Sequence, residues 1–216
     1  MSASPRYRYG LLLGLIGTSL TFQLAAPVGD WSRLVTVALQ GATLLLALWT
    51  SGVRPLLLRA AGAAVALALV GSATAVLSGG DVGSDSTTLT NLLLVGLAPA
   101  AIAVGVVRSM RADRAVTVAT MFGVLCIYLL VGMFFAFVYG AINALGSSEV
   151  FSGHADPTQA DFLYFSFTTL TTTGYGVFVA ATGLGRAMAI TEALVGQVYL
   201  VTVVAAIVSN LRPRHA

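Results

Sequence analysis

Five consecutive residues, Thr172-Thr173-Gly174-Tyr175-Gly176, carry the most legible chemistry in the chain. Glycine reaches backbone conformations closed to other residues, so this stretch can turn successive carbonyl oxygens the same way. A row of carbonyl oxygens can replace the water around a dehydrated cation. A second candidate is Glu192, the one acid inside an apolar stretch. In hydrocarbon such a residue is either functional or neutralised and hydrogen-bonded among helices. It lies one helical turn before Gly196 and can face the region of Thr168, Thr169 and Thr172. Arg108, Arg111 and Arg114 recur at every third residue, the spacing of a helix that moves in an electric field. The stretch before them, 91–107, holds no charge and is interrupted by Pro99, so two readings stand: a cytoplasmic anchor and a reduced voltage sensor. His154, near Glu149, Asp156 and Asp161, reads as part of a solvated loop. The single cysteine, Cys126, excludes an intramolecular disulfide and a cysteine metal cluster. There is no phosphate loop, catalytic triad or metal-ligand cluster, and no enzyme activity or cofactor is expected.

The carbonyl row needs an element to hold it. The stretch 156–176, too polar for an ordinary membrane span and too apolar for an ordinary loop, supplies one as a helix that stops at the glycines. Asp156 can cap a helix, Pro157 suits its first position and Gln159 completes a box-like pattern. About 15 helical residues would reach roughly 22 Å, too short to cross a bilayer. Both ends then face one side, as in a re-entrant hairpin, with irregular backbone buried by protein or lined by water. The negative pole of the short helix would favour a cation at its carboxyl end.

The rest of the chain sets the surroundings. Of 216 residues, 57% are hydrophobic and 9% are charged. A soluble fold could not cover its surface with so few charges. Six apolar stretches read as membrane spans: Gly10–Val28, Leu34–Thr50, Leu56–Leu77, Thr90–Val107, Ala115–Leu145 and Ala187–Leu211. The first also fits a cleaved signal segment, with Arg6 and Arg8 at its charged end and Leu24-Ala25-Ala26 as the cleavage site. The net charge of +3 comes from 11 arginines and 8 acids, with no lysine. The arginines are scattered singly and form no nucleic-acid patch. Placing the amino terminus in the cytoplasm puts nine arginines inside: Arg6, Arg8, Arg54, Arg59, Arg108, Arg111, Arg114, Arg212 and Arg214. It leaves Arg33 and Arg186 outside, with six of the acids. Both termini are then cytoplasmic, and an inner cell membrane is expected.

The threonine run, the Gly-Tyr-Gly, the short capped helix and the flanking long spans together resemble the potassium channel family, whose filter reads Thr-Val-Gly-Tyr-Gly. The resemblance covers Ala115 to Leu211 and is similar to a bacterial-type channel with six transmembrane helices and one pore domain. Gly185-Arg186 follows the filter at a family spacing, and Gly196 stands where many members have a hinge. The resemblance implies that the carbonyls of Thr172, Thr173, Gly174 and Tyr175 coordinate K+, with Gly176 closing the filter and the Thr172 hydroxyl forming the innermost site. One strand per chain implies a homotetramer in a lipid bilayer. Fold and function follow as expectations: an all-α membrane protein with a four-helix accessory domain, 1–114, and a pore domain, 115–216, conducting K+ passively. A weakly selective cation channel, an ion-coupled transporter and a non-conducting partner subunit are the alternatives.

Four positions depart from the family pattern. Thr173 replaces a valine or isoleucine of similar shape. Tyr164 and Phe165 take the places of a tryptophan pair, and Thr168 that of a glutamate or valine. Val177 stands where most members have an aspartate that braces the outer filter through hydrogen bonds. Two readings stand: a more loosely held outer filter with altered gating, and a filter braced by other contacts; Val177, Thr168, Glu192 and Gly196 are the gating candidates.

Overall fold

A computed structural model describes residues 8–27, 29–52, 55–77, 90, 92–99, 102–104, 118–146, 149–153 and 155–209. The helices are α1 (Arg8–Ala25), α2 (Asp30–Thr50), α3 (Pro55–Leu77), α4 (described at 92–99 and 102–104), α5 (Val118–Leu145), α6 (Gln159–Leu170) and α7 (Gly183–Val198). A six-residue π-helix, Tyr199–Val204, continues α7 into α8 (Ala205–Ser209). Among the described residues the only β pairing is a single bridge between Phe151 and Ala180. Arg108, Arg111, Arg114 and His154 lie outside the described residues, as does the polar loop Ser78–Ser86.

The protein is an all-α membrane protein. Four helical runs are long and apolar enough to cross a bilayer: Trp31–Thr50, Pro55–Thr74, Thr120–Leu145 and Gly183–Val204. Two of the six expected spans are shorter apolar helices: Tyr9–Ala25 and Leu92–Val104. The last span starts at Gly183 rather than Ala187, because Thr182 caps it: its side-chain oxygen accepts the Gly185 N–H at 3.0 Å.

The helices pack in a line that ends at the site. α3 lies on α2, α2 on α1, α1 on both α5 and α6, and α6 between α5 and α7. The core follows this order, with Leu12 and Ile16 from α1, Leu130, Met133 and Phe137 from α5, and Leu163 and Leu170 from α6. Small residues set the close contacts, as packing in lipid requires. A Cβ on Gly132 would lie 2.9 Å from the Phe167 ring, so α5 meets α6 at van der Waals distance only with glycine there. On α2, Thr36 and Thr43 are buried and return their hydroxyls to the carbonyls of Ser32 and Leu39 at 2.9 and 2.8 Å. Such back-bonding satisfies a hydroxyl without a partner helix.

Candidate functional site

The site is built on α6. Its N-cap is Thr158, a correction to the cap expected at Asp156. Asp161 Oδ2 accepts the Thr158 backbone N–H and hydroxyl, each at 2.8 Å, and the Asp161 N–H returns to Thr158 Oγ1 at 3.4 Å. This reciprocal box satisfies two orphan amides, which Asp156, exposed and two residues upstream, does not do. The helix therefore has 12 residues, about 18 Å. It buries Phe162, Leu163, Phe165, Ser166 and Leu170 against its neighbours.

The carboxyl end of α6 is continuous with the carbonyl row. Thr171 is the C-cap, and Thr172 beyond it has φ +57°, a left-handed conformation unusual for a β-branched residue. The Thr172 N–H donates to Thr169 O at 2.9 Å and the Thr173 N–H to Thr168 O at 2.8 Å. That pair of bonds is a Schellman motif, with threonine where glycine is usual. Thr168 O also accepts the Gly174 N–H at 3.1 Å. Three successive amides thus point back into α6. In a trans peptide the preceding carbonyl is antiparallel to the N–H, and there is no cis bond among the described residues. The carbonyls of Thr171, Thr172 and Thr173 therefore point away from α6. Positive φ recurs at Gly174 (+55°) and Gly176 (+78°), so its sign alternates along 172–176.

Hydroxyls tie the row down. Thr171 Oγ1 donates to Phe167 O at 2.7 Å and lies 2.8 Å from Thr173 Oγ1. A hydroxyl has one proton, so Thr173 is the donor in the second bond. Thr173 thereby connects to the last turn of α6 through a relay that valine could not form. Thr172 Oγ1 donates to Thr171 O at 2.7 Å. The Thr168 hydroxyl is turned back to Phe165 O at 3.0 Å.

Glu192 is fully buried behind this helix. Its Oε2 accepts the Tyr139 hydroxyl at 2.7 Å, and its Oε1 is hydrogen-bonded to the Ser166 hydroxyl. Ser166 Oγ also lies 2.6 Å from Gly132 O. One carboxyl group therefore joins α5, α6 and α7. The side chain does face α6, but at Ser166 rather than at the threonines. Sequence reading missed Tyr139 and Gly132, although their seven-residue spacing puts both on one face of α5. Gly196 sits against the end of the short helix, where an added Cβ would collide with Leu170 O and lie 2.8 Å from Leu170 Cδ1. The π-helix begins three residues later and buries none of its residues but one anchor bond holds it: Tyr199 Oη donates to Val124 O on α5 at 2.7 Å.

At the far end of the row, Val177 is exposed and offers no hydrogen-bonding group. Tyr175 stacks on Tyr164, with ring centroids 6.2 Å apart. Phe165 packs edge-on against Tyr139 and Phe151. Neither Phe151 nor Phe178 was singled out from sequence, although Val150-Phe151 is an apolar pair inside a polar loop.

Residues 123–212 match a family model described as an ion channel. The match runs from within α5 through α6, the carbonyl row and α7, so this stretch of the chain is ion-channel-like. No curated protein and no solved structure matched the chain.

Proposed function

We propose that the protein is a potassium-selective channel in which four copies place residues 172–176 around one axis in a cell membrane. The observation that carries this reading is the set of three amides, at Thr172, Thr173 and Gly174, bonded back to the end of α6, which leaves the intervening carbonyls facing away from that helix. Around a fourfold axis those oxygens form stacked rings. K+ sheds water on entry, and carbonyl coordination offsets the loss. The negative end of α6 lies at the same place and lowers the energy of the cation further. Conduction is passive, and the protein's part is to hold the oxygens at fixed spacing.

Two observations support assembly of several copies. Residues 171–177 are exposed in a single chain. α7 and its π-helical continuation bury only Gly185, Glu192 and Gly196, with Leu184, Ile190, Leu194, Val198 and Val201 uncovered. With nine arginines on one side, both termini lie in the cytoplasm. Gly196, Glu192, Val177 and Thr168 surround the filter and are the positions at which gating would act.

Reconstitution of the purified protein in planar bilayers, with reversal potentials in mixed K+ and Na+, tests the reading. A reversal potential near the K+ equilibrium value with unitary currents far above transporter turnover is expected. A reversal potential near zero makes the protein a weakly selective cation channel, to which the uncommon Thr173 and Val177 would contribute. Ion-coupled flux without unitary currents, or silent tetramers, would overturn the channel reading in favour of a transporter or a partner subunit.

A further inference from the structure

We infer that Phe151, acting through Phe178, is a positioning residue that clamps the filter strand at Tyr175 from the loop preceding α6. The inference rests on the filter reading of residues 172–176 and adds to it the element that holds their outer end.

Phe151 stands in the short described stretch 149–153, yet its side chain is fully buried. The backbone around it pairs with the chain just after the filter. The Ser152 N–H donates to Val179 O at 2.9 Å, and the Ala181 N–H donates to Val150 O at 2.8 Å. On the other flank, Arg186 Nε donates to Ala180 O at 3.1 Å. The segment 179–181 is thus gripped from two sides, by the loop at 150–152, which is distant in sequence, and by the nearby Arg186 side chain.

The rings extend this grip to the filter. Phe151 lies 5.5 Å from Phe162 and 4.8 Å from Phe165, both on α6, and 5.0 Å from Phe178, centroid to centroid. Phe178 lies 6.1 Å from Tyr164, and Tyr164 stacks on Tyr175 in the filter. A continuous chain of rings therefore runs from the outer loop to the filter tyrosine.

The test uses the full-length protein and three variants. Phe151→Leu keeps apolar bulk but removes the ring, Phe178→Leu does the same at the next position, and Phe151→Tyr keeps the ring. Amide hydrogen exchange in detergent is read first. Phe151→Leu should raise exchange at Ser152 and Ala181 and, through the clamp, at Thr173 and Gly174, by about tenfold, the factor that corresponds to one aromatic pair. Phe178→Leu should raise it at Thr173 and Gly174, and Phe151→Tyr should leave all four near wild type. Increased exchange at Ser152 and Ala181 with unchanged Thr173 and Gly174 would overturn the clamp and leave a local loop contact. Bilayer recording is the second readout. Faster decay of the K+ current in Phe151→Leu, restored in Phe151→Tyr, supports the clamp, and wild-type decay in Phe151→Leu overturns it. A wild-type protein without K+ current defeats the functional reading alone, because the exchange pattern still decides the clamp.

Discussion

At the scale of single residues, the site depends on hydroxyl groups that an apolar substitution of equal size would remove. Thr173→Val is nearly isosteric, deletes the Thr173–Thr171 bond and leaves the Thr171–Phe167 bond in place. The expected cost is about 1 kcal/mol, small enough that the protein folds and assembles. The effect should therefore appear in the filter, as roughly fivefold faster exchange of the Thr173 and Gly174 amides. Glu192 carries a larger consequence. Glu192→Ala would leave the Tyr139 hydroxyl buried with its acceptor gone, at about 1–3 kcal/mol, while Ser166 would keep the Gly132 carbonyl as its acceptor. Thermal unfolding in detergent should show a clear loss of stability, with Glu192→Gln milder because it keeps an acceptor oxygen. Wild-type stability in Glu192→Ala would contradict the structural tie. The acid was visible in the sequence as the one charge inside a span. Its partners were not, because Tyr139 and Ser166 are 53 and 26 residues away and are brought together only by packing.

At the scale of elements, α6 is a short helix whose two ends are finished by different devices, a capping box at Thr158 and a Schellman turn at Thr172. Both are local, yet neither was legible in full. Asp156-Pro157 imitates a start two residues before Thr158, and only the Asp161 contact decides between them; the glycines mark a stop, but the turn falls earlier, at Thr172, where a β-branched residue takes the left-handed position. The π-helix Tyr199–Val204 has no such mark: its residues, Tyr-Leu-Val-Thr-Val-Val, would suit an ordinary α-helix. Gly196 shows how packing changes the meaning of a residue read from sequence. A hinge glycine tolerates alanine at modest cost to the fold, but here the added methyl meets the Leu170 carbonyl, and overpacking of this kind costs about 1–3 kcal/mol. Gly196→Ala should lower the unfolding temperature or displace residues 172–176, seen as reduced current if the proposed channel reading holds. If it folds with wild-type stability and alters only open probability, bending at this residue is its main role, rather than packing.

At the scale of the whole molecule, the order of packing places α1, not the more distant α3, in direct contact with the elements that carry the site. The four-plus-two reading of the chain rested on hydrophobic lengths, which recover long helices well. Such lengths say nothing of which helix touches which, so the contact of α1 with α6 could not be read from them. The uncovered face of α7 makes a prediction about assembly. Leu194→Arg puts a charge on that face and should yield monomers by size-exclusion chromatography with light scattering, with helical content unchanged by circular dichroism. The Schellman turn then has a consequence for the order of events in the proposed four-copy assembly. Its bonds, and the Gly174 N–H to Thr168 O bond beside them, lie within one chain, so a lone chain already holds residues 172–174 against α6. On the proposed reading, assembly would bring finished strands together instead of shaping them. In the Leu194→Arg monomer the amides of Thr172, Thr173 and Gly174 should remain protected from exchange, and protection that appears only in tetramers would reverse that order.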